Sequence, residues 1–188
     1  MNPYKFKGFT LIELMVVIAI VAVLSTLAAP SFKQMIQSNT ISSSVNSLLA
    51  DMRFARSEGM RRGGGIVVCH SDSPEASNPT CTTGSNWKSG WIVFHDLDND
   101  GVKDATDPVL KVQGPLSSID TVTETGNTSS KFIFSGTGRT VALSSAVGIK
   151  FGGDEYANER QRVVCVGISG RSRIGVDAHG KTNGSATC

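Results

Sequence analysis

Much of what drives enzyme chemistry is missing from this chain of 188 residues. Its three histidines, His70, His95 and His179, stand apart from one another. No G-x-S-x-G, H-E-x-x-H or phosphate-loop motif occurs. His95 beside Asp96 reads as the end of a strand rather than as a catalytic pair. These absences remove the usual routes to hydrolysis and phosphoryl transfer, and the expectation is a protein that is not an enzyme. The four cysteines, Cys69, Cys81, Cys165 and Cys188, contain no C-x-x-C pair, which argues against zinc. No repeat is evident, and no helical periodicity follows residue 63. Aromatic residues make up only 6% of the chain, and few lie in its last third, so stacking on nucleobases is not indicated there.

Charge is also scarce in one place. From Phe9 to Ala29 the only ionisable side chain is Glu13. The run is long enough to cross a bilayer, which takes about 20 apolar residues. A charge near the bilayer centre costs about 2.5 to 3.5 kcal/mol or more, so Glu13 calls for a functional reason. An ordinary secretory signal would use Lys5 and Lys7 as its basic region. Its cleavage site would be Leu27-Ala28-Ala29-Pro30, a poor one, and Glu13 would be misplaced in it. A plain membrane anchor explains the length but neither Gly8 nor Glu13.

The net charge of +2 conceals an uneven distribution. Residues 1–69 carry seven basic and three acidic side chains, residues 70–130 three and nine, and residues 131–188 eight and four. A basic last third can bind an anion locally even in a near-neutral protein. Beyond Pro30, which can kink a helix without ending it, Ile41, Val45, Leu48, Leu49, Met52 and Ala55 fall on one helical face. Arg61-Arg62-Gly63-Gly64-Gly65 supplies a stop. The rhythm then becomes short β-like runs divided by Gly, Asn, Asp and Ser. Strands are predicted at Ile66–His70, Gly90–His95, Val109–Gln113, Ile119–Thr123, Lys131–Phe134, Gly148–Phe151, Arg162–Ile168 and Ser172–Val176. The fold class is therefore α+β, one long N-terminal helix laid against an antiparallel β-sheet.

Lys5 and Lys7, then Gly8, then Phe9-Thr10-Leu11-Ile12-Glu13 resemble the type IV pilin signature. The resemblance implies a cut between Gly8 and Phe9 by a prepilin peptidase, methylation of Phe9, and a role for Glu13 in subunit assembly. Phe54-Ala55-Arg56-Ser57-Glu58, Gly90-Trp91-Ile92-Val93-Phe94 and Phe134-Ser135-Gly136-Thr137-Gly138-Arg139 resemble segments of the FimT/FimU/GspH family of pilin-like proteins. The implied organisation is a leader at 1–8, a transmembrane half-helix at 9–30, an amphipathic half-helix at 31–63 and a β-rich extracytoplasmic domain at 64–188. The implied location is the inner membrane, single-pass with a periplasmic domain, and a pilus or type II secretion pseudopilus after assembly. The implied partners are the peptidase, other pilins and the membrane, with no cofactor.

Four cysteines on an exported chain point to disulfides, and they allow three pairings. Cys69 with Cys81 and Cys165 with Cys188 close the most local loops and are preferred, each stabilising by about 3 kcal/mol on the loop-entropy account.

Two further stretches are candidate sites. Gly170-Arg171-Ser172-Arg173 resembles the G-R-x-R motif with which FimT-type minor pilins of naturally transformable bacteria hold DNA. Gly170 suits a turn, and arginines two apart on a strand share a face, where each can grip a phosphate. Arg160, Arg162 and Lys181 are near enough in sequence to extend the patch. The bland alternative is two surface arginines on a purely structural subunit, FimU-like or GspH-like. The second stretch runs from Asp96 to Asp107. Asp96, Asp98, Asp100, Asp104 and Asp107 with Gly101 follow the spacing of a calcium loop. Its last ligand is a short Asp, Pro108 follows, and no helices flank it. A polar β-turn is the favoured reading, with calcium as the alternative.

Overall fold

A computed structural model describes residues 8–126, 129–141, 143–153, 161–175 and 188, with only the backbone of 27–30. Residues up to Ile36 form one compact unit and Gln37–Cys188 a second. The predicted long helix is present as α1, Leu11–Arg62. In its first part the apolar side chains of Leu11, Ile12, Val16, Ile20 and Leu24 are more than half exposed. Taken singly, no helix among the described residues is long and apolar enough to cross a membrane; Leu11–Thr26 together with Ser31–Arg62 is, by length and composition.

The second unit is built on the other end of α1. Ile41, Val45, Leu48, Leu49, Met52 and Ala55 are all buried, as their spacing predicts. The helix ends where Gly63, Gly64 and Gly65 take left-handed φ values of 86°, 125° and 69°. In the last turn Glu58 is held by Arg61 and Arg62, each at 2.6 Å, and these two hydrogen-bonded guanidinium groups lower its pKa to about 2.

Two antiparallel sheets follow. The first has the order β3-β2-β1-β5-β6, from Val109–Gln113, Trp91–His95, Ile66–His70, Lys131–Phe134 and Thr140–Val141. The second has the order β4-β7-β8-β9, from Val122–Thr125, Val147–Phe151, Arg162–Val166 and Ser172–Ile174. The buried face of α1 joins Val68, Trp91, Val93, Phe132 and Phe134 of the first sheet and Ile149, Phe151, Val164 and Val166 of the second in one core. Two polar ties fix the helix in register: Trp91 Nε1 donates to Asp51 Oδ2 at 3.0 Å, and Lys111 Nζ donates to Asp51 Oδ1 at 2.7 Å.

The central strand β1 is buried at every residue rather than alternately. Its second face, with Val67, Cys69, Ile92 and Phe94, is covered with the help of Cys81. The Cys69–Cys81 disulfide pins that covering loop, and Cys165–Cys188 closes the second bridge, so the structure forms the preferred pairing.

The strand edges depart from expectation in a few places. Ile119 lies in a turn, where its N–H donates to Leu116 O at 3.1 Å, and β4 begins only at Val122. Its apolar side chain is buried from that turn and so mimics a strand residue. β8 stops at Val166 because Gly167–Gly170 makes the hairpin turn, β9 ends at Ile174, and Val176 is outside the described residues. The two-residue β6 is too short to leave a periodic signal.

Candidate nucleic-acid interface

β8 and β9 form a hairpin in which Val166 faces Ser172, Cys165 faces Arg173 and Val164 faces Ile174. The turn closes with two bonds, Gly170 N–H to Gly167 O at 2.8 Å and Gly167 N–H to Arg171 O at 3.1 Å. Gly170 has φ 70°, the left-handed position of a three-residue hairpin loop with a bulge. It is required there for a second reason. A Cβ on Gly170 would collide with the carbonyl oxygen of Gly138.

β9 is an edge strand. Arg171 and Arg173 are exposed, whereas the hydroxyl of Ser172 between them is buried. That alternation puts the two arginines on the outward side, as the spacing predicts. Arg171 makes no hydrogen bond or ion pair with a described residue. Arg173 Nη2 donates to Cys188 O at 3.3 Å, so the Cys165–Cys188 bridge and Arg173 both hold Cys188. Of the residues expected to extend the patch, Arg162 is half-buried and donates to Gln161 O at 2.9 Å. Arg160 and Lys181 lie outside the described residues, as do Lys5 and Lys7.

The processing segment is laid out simply. Gly8 and Phe9 precede the helix and are exposed. Thr10 is the helix cap. Its N–H donates to Glu13 Oε2 at 2.9 Å and its hydroxyl to the same oxygen at 3.1 Å, and Glu13 N–H donates back to Thr10 Oγ1 at 3.3 Å. This is a capping box. The signal, T-x-x-E before an apolar run, was present in the sequence, and the assembly role considered for Glu13 did not include it.

The acidic loop brings together fewer ligands than its spacing offers. Asp96, Asp98 and Asp100 each place a carboxylate oxygen within 4.8 Å of the others. Asp104 and Asp107 are not part of that cluster. Both Asp107 oxygens accept backbone N–H groups, from Leu97 at 3.0 Å and Asp104 at 2.9 Å. Both Asp96 oxygens do likewise, from Asn99 and Gly101, each at 2.8 Å. Two ammonium groups bind carbonyls of the loop: Lys131 donates to Gly101 O at 2.6 Å, and Lys103 donates to Asp104 O. The loop is thus held by its own Asx turns and two lysines, which fits the turn better than a metal. Burial pushes the Asp96 carboxyl above its ordinary range, and a hydrogen bond from the protonated Asp96 carboxyl to Asp98 adds to the effect.

Comparison with known proteins gives two profile matches. Residues 44–170 match the family described as type II transport protein GspH, and residues 4–29 match the prokaryotic N-terminal methylation motif. No curated protein matches. A crystal structure of the type IV minor pilin FimU of Pseudomonas aeruginosa superposes with a TM-score of 0.53 at 16% identity, over 72% of this chain and 88% of FimU. A second crystal form of FimU gives 0.51 at 16%, over 71% and 90%. At that identity the likeness is one of fold.

Proposed function

Since the chain belongs to the GspH family of pilin-like proteins and carries a prokaryotic N-terminal methylation motif, we propose that it is a type IV minor pilin of the FimT kind, holding DNA through Gly170, Arg171 and Arg173. Membership alone makes it a minor pilin or pseudopilin of a type IV pilus or a type II secretion system. The family is one of structural, non-enzymatic proteins, made as precursors and assembled with other pilins. The methylation motif and the apolar N-terminal helix agree with an inner-membrane subunit that is drawn into a filament. On this reading the leader ends at Gly8 and Phe9 becomes the methylated terminus.

The outward arginines, Arg173 in β9 and Arg171 directly before it, support the DNA assignment. A guanidinium without an acidic partner, on an exposed edge, is a fixed donor fork matched to a phosphate. Such contacts are independent of base sequence. They weaken with salt by about 0.9 log units per log of salt for each phosphate neutralised. Natural transformation is the process in which a pilus subunit would use them.

Purified full-length chain in a neutral detergent should retard duplex DNA at low salt. The double variant Arg171→Gln, Arg173→Gln should weaken binding about a hundredfold or more, since each lost charge-assisted bond is worth about 1.5 to 3 kcal/mol. Wild-type protein that leaves DNA unretarded at low salt would establish the second reading, a structural subunit of the FimU or GspH kind. The tie from Arg173 to Cys188 favours that alternative, because it gives one of the two arginines a structural task.

A further inference from the structure

We infer that the DNA-binding surface extends from β9 onto a second hairpin, with Arg139 as the counterpart of Arg171. The inference rests on the DNA reading above. It comes from a local geometry that occurs twice. In the β8–β9 turn, Gly170 N–H donates to Gly167 O at 2.8 Å and Gly167 N–H to Arg171 O at 3.1 Å. In the β5–β6 turn, Gly138 N–H donates to Ser135 O at 2.8 Å and Ser135 N–H to Arg139 O at 2.9 Å. Each turn has a glycine in the left-handed region at its fourth residue, φ 73° for Gly138 and 70° for Gly170. Each has an arginine directly after that glycine. The two hairpins belong to different sheets, yet they build the same Gly-Arg corner.

The corners are pressed together. The missing side chain of Gly170 makes room for Gly138, and a Cβ there would stand 3.3 Å from Arg139 Cα. Thr140 fastens the contact, with its N–H on Ile168 O at 3.2 Å and its hydroxyl on Gly167 O at 3.1 Å. Arg139 and Arg171 therefore have Cα atoms no more than about 9 Å apart, allowing one Cα–Cβ bond and one step of about 3.8 Å along the chain. Both side chains are exposed, and neither has a hydrogen bond or ion pair with a described residue. Arginine side chains of that reach can meet neighbouring phosphates of one strand.

Arg56 adds charge behind the pair. Gly138 lies against it, with a Cβ position 3.1 Å from Arg56 Nε, and that nitrogen is buried without a hydrogen bond. The nearest acid along the helix, Glu58, is already engaged by Arg61 and Arg62. Among the described residues, Arg56, Arg139 and Arg171 thus bring positive charge to the joined corners from three elements distant in sequence.

The test is the salt dependence of binding to a short random-sequence DNA duplex, measured by fluorescence anisotropy on the full-length chain in neutral detergent. Arg139→Gln should weaken binding several-fold at low salt and reduce the log–log slope by about 0.9, the loss of one phosphate contact. Arg139→Lys should restore the slope. If Arg139→Gln binds with unchanged affinity and slope while Arg171→Gln, Arg173→Gln is impaired, the surface is confined to β9 and the inference fails alone. If the Lys variant is as weak as the Gln variant, Arg139 acts through the turn and not through its charge, which also overturns it. Wild-type protein that binds no DNA removes the functional reading and this inference together.

Discussion

Thr10 and Glu13 satisfy each other's polar groups at the start of α1, with the Thr10 N–H and hydroxyl both on Glu13 Oε2. The carboxylate is therefore not an unpartnered charge in the isolated subunit. Its second oxygen, Oε1, accepts from no described residue, so a cationic group on a neighbouring pilin could bind there while the cap stays closed. Cap and charge can be separated. Glutamine serves in a capping box as glutamate does, but it carries no charge. Glu13→Gln should keep the cut between Gly8 and Phe9 and lose incorporation into filaments, as Glu13→Ala should. Mass spectrometry of the processed chain and immunoblots of sheared filaments would check both. Normal incorporation of Glu13→Gln would assign the residue to the cap alone.

Asp51 joins the helix to two strands by accepting from Trp91 and Lys111. Asp51→Ala would leave the buried indole N–H without an acceptor. The expected cost is about 1 to 3 kcal/mol, the penalty for stranding a buried donor. Asp51→Asn keeps an acceptor for Trp91 and should cost less. Urea unfolding of the two variants would rank them, and equal losses would show that the Lys111 pair dominates.

Gly170 and Gly167 occupy the same turn under different constraints. Gly170 is left-handed and packed on Gly138, whereas a Cβ on Gly167 would meet nothing nearer than 3.9 Å. Gly167→Ala should change stability by no more than about 0.5 kcal/mol. Gly170→Ala should cost more than about 1 kcal/mol and weaken DNA binding, because it separates the two Gly-Arg corners. Thermal melting and anisotropy on the same samples would test the pairing of effects.

The acidic loop carries a pH signature. Asp96 is raised above its ordinary value of 3.8 by burial and by Asp98. Its protonated form thus contributes stability that is full below that value and is lost as pH rises through the higher folded-state pKa. Asp98→Asn removes the acid that shares a proton with Asp96 and should lower the Asp96 pKa, as seen by carboxyl NMR titration. Millimolar calcium should leave the melting temperature of the wild type unchanged. A calcium-induced rise that disappears in Asp98→Asn would reassign the loop to a metal.

Much of the fold was legible because apolar faces at helical spacing and short apolar runs bounded by turn residues each mark their element. The apolar face from Ile41 to Ala55 and the runs at Ile66–His70, Val109–Gln113 and Lys131–Phe134 match the elements found. The exceptions are local. Ile119 is buried from a turn, and β6 is too short to show a period. In the candidate site, the G-R-x-R residues and their shared face were readable because strand geometry is set by neighbours two apart. Arg139 was not, because nothing in its spacing from Arg171 says that their turns touch.

By itself the sequence determined the entry of the chain into a family, through Gly8–Glu13 and the long uncharged run after it, and it determined which cysteines could close local loops. These follow from composition and short spacing. Tertiary structure decided that Gly138 and Gly170 meet, that Cys188 holds Arg173, and that Lys131 binds the Gly101 carbonyl of the acidic loop. Those are contacts between residues far apart along the chain, and only the packing of two sheets against one helix brings them within bonding distance.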